Sequence, residues 1–209
     1  MQREKYFRTK LVFCLALAAM FGFMQVGCDR SEQAKPDPAG DSNDTPMIPM
    51  ELELPKYILI GTPADVMKVP NLAPPRENKS RILMPEGTVN LALGMNVTSS
   101  DSFPIIGELG FVTDGAKKSI DGFFVELGPM LQWVQIDLEK QCAIYAILAW
   151  HYHAQIRVYY SVVVQVADDA DFTQNVRTLF NNDQNGSAGL GIGNDLLYAD
   201  THEGKLIDA

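Results

Sequence analysis

From Val158 to Val166 the chain sets Val158, Tyr160, Val162, Val164 and Val166 on one side of an extended backbone. Period-two alternation over nine residues, rich in β-branched and aromatic side chains, predicts a strand. A strand needs partners, and the chain supplies them. Val134, Ile136 and Leu138 share one face, opposite Trp133, Gln135 and Asp137. Ala143 to Trp150 is apolar on both faces, as expected of a central strand covered on both sides. Clusters of Gly, Asn and Asp separate these runs. No internal repeat and no long amphipathic pattern is visible. The reading is all-β, with residues 84–209 long enough for one core.

The N-terminus reads as an address. Arg3, Lys5, Arg8 and Lys10 precede the uncharged apolar run Leu11–Met24. That run is short of the roughly 20 residues a membrane span needs. A basic start and a short apolar run fit a secretory signal peptide. Gln25-Val26-Gly27-Cys28 resembles a bacterial lipobox, with Gln25 where an apolar residue is usual. On this reading residues 1–27 are removed and Cys28 is lipidated, anchoring an exported protein to a membrane. Asp29 resembles the signal that keeps some lipoproteins at the inner membrane. Residues 28–50 are polar and turn-rich and read as a flexible tether. Residues 51–83 contain Pro63, Pro70, Pro74 and Pro75 and are expected to lie extended along the domain rather than form another.

The full chain carries 17 Lys and Arg against 26 Asp and Glu. Removing residues 1–27 takes away four bases and one acid, leaving 13 against 25, a formal charge of −12. Nucleic acid and anionic lipid surfaces require a basic footprint and are poor partners for such a chain. Of three cysteines, Cys14 leaves with the signal and Cys28 takes lipid, so Cys142 has no mate for a disulfide and reads as a small core residue.

Three pieces follow in order: Asn90-Leu91-Ala92-Leu93-Gly94 continuing through Met95-Asn96-Val97-Thr98-Ser99-Ser100, then Thr113-Asp114-Gly115, then Gln132-Trp133-Val134-Gln135-Ile136-Asp137-Leu138. Tyr160 to Asp169, followed by Phe172, makes a fourth. Together they resemble the discoidin family, the factor V/VIII type C domains, which are galactose-binding-like. The resemblance implies a jelly-roll β-sandwich that binds ligands, mostly sugars, and does no chemistry of its own. It also implies a structural calcium at Asp114; the alternative is a plain Asp-Gly turn. The family's closing strand, of the type Ala-Arg-Tyr-Val-Arg-Leu, finds no counterpart before Ala209. The expected sandwich therefore lacks its last strand.

Trp150-His151-Tyr152-His153, with Arg157 beyond it, is the most suggestive polar cluster. Aromatic faces stack on sugar C–H surfaces while charged donors bind hydroxyls, so Trp150, His151, His153 and Arg157 are the candidate ligand site; the alternative is a strand end whose amphipathic side chains are half buried. A metal pair at the two histidines would need a third ligand, for which His202 is the candidate. Asn181–Gly186 imitates the start of an EF-hand loop, but Ile192 stands where the bidentate Glu belongs, so a mobile loop is expected. Ser102–Ile106 is expected to pack into the core. No set of nucleophile, base and orienting group is visible, so no catalysis is expected. The expected function is carbohydrate binding at the envelope. A protein–protein adhesion or scaffold module, or an accessory domain of a larger enzyme, are the alternatives.

Overall fold

The computed structural model describes residues 15–16, 20–29, 46–61, 68–74, 81–120 and 122–209, with the side chains of residues 15–16, 20–29, 50–51 and 81–82 left aside. Most of the tether (residues 30–45), Pro63 and Pro75 lie outside the described residues, as does most of the basic leader. The chain is nearly all-β. Among the described residues no helix is long and apolar enough to cross a membrane.

The strands are β1 (Leu15–Ala16), β2 (Met20–Asp29), β3 (Met47–Glu51), β4 (Arg81–Pro85), β5 (Thr88–Asn90), β6 (Val97–Ser99), β7 (Val125–Glu126) and β8 (Leu131–Gln132), followed by β9 (Val134–Ile136), β10 (Ala146–His151), β11 (Val158–Tyr159), β12 (Val163–Val166), β13 (Arg177–Asn181), β14 (Tyr198–Ala199) and β15 (Lys205–Asp208). The largest sheet runs β15-β10-β2-β5, with β7 also on β2. Antiparallel two-stranded ladders join β6 to β9, β12 to β13, β11 to β14, β3 to β4 and β1 to β8.

The apolar run at 143–150 yields β10, and all six of its residues are buried. Its side chains alternate between two clusters. Ile147 and Ala149 join the main core with Val134, Ile136, Leu138, Val162, Val164 and Val166. Ala146, Leu148 and Trp150 form a second cluster with Met84, closed by Leu52, Leu54 and Leu206. Residues 52–61 and 68–74 are tied down through the Ile60 N–H to the Ala154 carbonyl (2.6 Å) and the Ala73 N–H to the Leu197 carbonyl (2.7 Å).

The three motif pieces are bonded to one another. The Gly94 N–H donates to the Thr113 carbonyl (2.7 Å) and the Thr113 hydroxyl to the Met95 carbonyl (2.9 Å). β6 pairs β9 just beyond. Asn90 caps its own turn by accepting the Ala92 N–H.

The nine-residue strand expected at 158–166 is two strands in two ladders. Ser161 between them has φ +53°, a left-handed conformation that ends pairing. The side alternation slips there, so Tyr159 is buried and Tyr160 exposed, the reverse of the period-two expectation. The loop at 102–106 also departs from expectation. Phe103 is 89% exposed and Ile105 60%, because Asp101 turns the chain outward by accepting the Phe103 and Gly128 N–H groups.

Gly204 has φ +72°, and an added Cβ would lie 2.8 Å from the Trp150 ring. Gly189 has φ +73° with open space around it. Gly204→Ala should therefore cost about 2–4 kcal/mol, combining strain with overpacking, and Gly189→Ala about 1 kcal/mol. Urea unfolding of the two variants checks the difference.

Candidate functional site

Among the described residues, two gatherings of polar side chains bear on a site. The first is the end of β10. Asp200, on the loop after β14, accepts the His151 N–H at 2.6 Å and lies 3.0 Å from His151 Nδ1 through the same oxygen. The carboxylate selects the tautomer with hydrogen on Nδ1. Tyr159 lies against the imidazole, with ring centroids 4.3 Å apart, and Tyr198 lies against Tyr159. Burial, reinforced by the Asp200 charge, pushes both phenols far above their ordinary range.

His153 completes the cluster. Its N–H donates to the Ser119 hydroxyl oxygen (2.8 Å), and its Nδ1 lies 2.9 Å from that oxygen and 3.0 Å from the His151 carbonyl. Burial lowers its pKa below the usual histidine value, outweighing the His151 carbonyl and Asp200, which act in the opposite sense. The Ser119–His153 pair closes on itself: the serine oxygen already serves the backbone of its partner. All three histidines of the chain gather near Asp200, since His202 also acts electrostatically on His153.

The four residues expected to form a rim thus divide. Trp150 is 0% exposed and His151 1%, and His153 is buried as well. Trp150 sits within the covered strand, its Nε1–H donating to the His202 carbonyl (2.9 Å), with Lys117 Nζ 5.3 Å from its ring centroid. Centrality of β10 turns these side chains inward, where they hold the wall and present no face for stacking. Arg157 alone of the four reaches the surface, its guanidinium 4.9 Å from the ring centroid of half-buried Tyr152.

The second place is a cleft of about 400 Å3 between β13 and the 190–195 loop, lined by Phe180, Asn181, Leu190, Ile192, Asn194 and Asp195 among others. Its floor is fixed by local bonding. Asp195 accepts the Asn181 N–H (2.6 Å), the Asp195 N–H returns to the Asn181 carbonyl (3.0 Å), and the Asn181 amide donates to the Gly191 carbonyl (3.2 Å). Gly193 lies so close to Asn181 that any Cβ would overlap it.

Bonded to the cleft through the Gly193 N–H on its carbonyl (2.9 Å), fully buried Asp183 accepts the Ala188 N–H (2.7 Å) and both the N–H and hydroxyl of Ser187 (3.2 Å each) at its carboxylate. Burial opposes its ionisation, yet these donors outweigh burial and hold its pKa below the ordinary carboxylate value. The Asn- and Gly-rich stretch expected to be a mobile loop is instead knitted around a carboxylate. The alternating Asn and Asp that imitate a calcium loop serve as acceptors for their own backbone.

Asp114 is exposed, and its Oδ1 accepts the Ala116 N–H (2.7 Å). Among the described residues no group of three His, Cys, Asp or Glu could hold a metal ion. A calcium here would draw its other oxygens from backbone carbonyls, side-chain amides or water. Cys28 lies in β2, whose side chains are outside the described ones.

No protein-family model matches the chain, and neither a curated protein nor a solved structure matches it.

Two outcomes follow. The unfolded chain takes up protons at His153 below about pH 6.5, before the folded chain does, so stability is full above that pH and falls as pH drops toward the lowered folded value. His153→Gln should flatten this loss, read as Tm against pH between 7 and 5. Asp183→Ala strands the buried Ala188 N–H and removes two bonds from exposed Ser187, and should cost about 1–3 kcal/mol, read by denaturant unfolding.

Proposed function

We propose that this is an exported, lipid-anchored protein carrying a discoidin-like β-sandwich that binds carbohydrate at the cell envelope without catalysis. The observation that carries the binding reading is the β13 cleft. Asn194 and Asp195 offer exposed amide and carboxylate groups to hydroxyls. Leu190 and Ile192 offer apolar surface to C–H faces, and a rigid, hydrogen-bonded floor keeps the ordering cost of binding low. The mutual bonding of the 90–100, 113–115 and 132–138 pieces supports the family part of the proposal. The export part rests on residues 1–28, with Cys28 as the lipidated residue and the membrane as its anchor. The −12 charge of the processed chain favours neutral or cationic ligands.

A glycan array with the full chain tests the binding reading. Saturable binding to a neutral glycan is expected, weakened about tenfold or more, 1.4 kcal/mol, by Asn194→Ala or Ile192→Ser. No hit across diverse neutral glycans sinks it. Intact mass of the exported protein tests the anchor: loss of residues 1–27 with acyl mass on Cys28 is expected. The resemblance also implies a structural calcium at Asp114. A calcium-dependent rise in Tm, lost in Asp114→Ala, is its signature; an unchanged Tm leaves a plain turn.

A second reading, an envelope protein–protein module, is favoured by one observation. Phe103, Ile105 and Met130 (78% exposed) stand out on neighbouring loops that Asp101 joins through Gly128. Retention of a stoichiometric envelope partner, insensitive to free sugar and lost in Phe103→Ser, would favour it over the first.

A further inference from the structure

Residues 20–29 stand in two roles that one molecule cannot fill at once. On the sequence they end the export segment, with the cut expected just before Cys28. In the fold they are β2, the strand between β10 and the β5 and β7 edges. Ala146, Ile147, Leu148 and Ala149 pair with Gly27, Val26, Gln25 and Met24, and His151 pairs with Phe21 across a register shift. On the other edge Gly27, Cys28 and Asp29 pair with Asn90, Val89 and Thr88, while Met20 and Phe21 pair with Glu126 and Val125. All these pairings are antiparallel.

Processing would remove Met20–Gly27 and strip β10 of every partner on that edge. The exposed edge would belong to six buried residues, where unpaired backbone N–H and C=O groups are costly and attract any strand that fits. The chemistry of a fitting strand follows from β10 itself. Ile147 and Ala149 face one apolar cluster, and Ala146, Leu148 and Trp150 face the other. An occupant lying beside them meets apolar surroundings on both faces, so an alternating polar strand is excluded. The present occupant, Met-Phe-Gly-Phe-Met-Gln-Val-Gly-Cys, carries no charge before Asp29.

We propose that the groove between β10 and the β5/β7 edge is a strand-acceptor site. Its ligand is an extended, uncharged, apolar segment of about ten residues, antiparallel to β10, recognised through main-chain hydrogen bonds. The uncut chain supplies it from residues 20–29. After cleavage a second polypeptide supplies it. Only this last clause rests on the processing proposed above.

Two experiments on the full chain test it. Val89 pairs with Cys28 and is partly exposed, so the Val89→Cys variant should form a disulfide between Cys28 and its new thiol on mild oxidation of the unprocessed protein, mapped by mass spectrometry. Thr98→Cys with Gln135→Cys, a register pair on β6 and β9, reports that the fold is intact. The control bridge without the Cys28 bridge overturns the proposal. In the second, a protease site replaces residues 33–36 and the chain is cut there. The N-terminal fragment should co-elute with the body until displaced by a labelled peptide of residues 20–29, which binds saturably. The same peptide with F23K and Q25K should bind at least tenfold more weakly. A fragment that separates without denaturant, with no peptide binding, overturns the site. An exported protein that keeps residues 1–27 overturns the second-polypeptide occupant and leaves the disulfide result untouched, so the two failures are distinguishable.

Discussion

The backbone of β10 is the constraint on which the rest of the fold depends. Six consecutive buried residues bring twelve main-chain polar groups into apolar surroundings, and each needs a partner. One edge is met by β15, from Ala146 against Asp208 to Ala149 against Lys205. The other is met by β2. Beyond Ala149, where the ladder with β15 ends, Asp200 takes over by accepting the His151 N–H. The histidine cluster is thus the terminus of a strand before it is anything else. Its burial, its aromatic packing and the inward turn of Trp150 follow from where that strand ends.

The β class was legible because β-branched periodicity reports backbone extension directly. Val134, Ile136 and Leu138 lie buried on one side as their spacing requires. Where reading failed, a local conformational event intervened. Ser161 in the left-handed region splits a run that looks continuous, and no residue type at that position announces it; serine is neither glycine nor asparagine. The outward loop at Phe103 has the same character. Its apolar composition suggests the core, but Asp101 binds two backbone N–H groups across the loops and overrides hydrophobicity.

The site was less legible than the fold, for a reason rooted in side-chain chemistry. His, Trp and Arg side by side resemble a binding rim, yet the same groups suit a strand end where buried backbone needs donors and acceptors. Sequence spacing does not separate these roles; the position of Asp200, forty-nine residues away from His151, does. The cleft beside Asn194 and Asp195 is only half legible: the sequence shows a Gly- and Asn-rich loop at a possible ligand rim, and not the bonding that shapes it. The available clue was the density of Asn and Asp beside glycines, which marks backbone-capping networks as readily as flexible loops.

On the proposed function, the binding cleft and the exchangeable strand are separate parts of the fold. Here the β13 cleft is braced by short-range bonds among residues 181–195, none of which draws on β2. The central sheet, by contrast, depends on a segment that the export reading removes. Local bracing lets the cleft keep its shape while the sheet edge changes occupant, since contacts within one loop are insensitive to a distant strand exchange. A partner strand seated beside β10 and a glycan held at β13 would then be independent events on one domain. Two contacts connect them: the core cluster that holds Phe180 with Ile147 and Ala149 of β10, and β15, which pairs with β10 and whose Lys205 ammonium lies 4.6 Å from the ring centroid of Phe180.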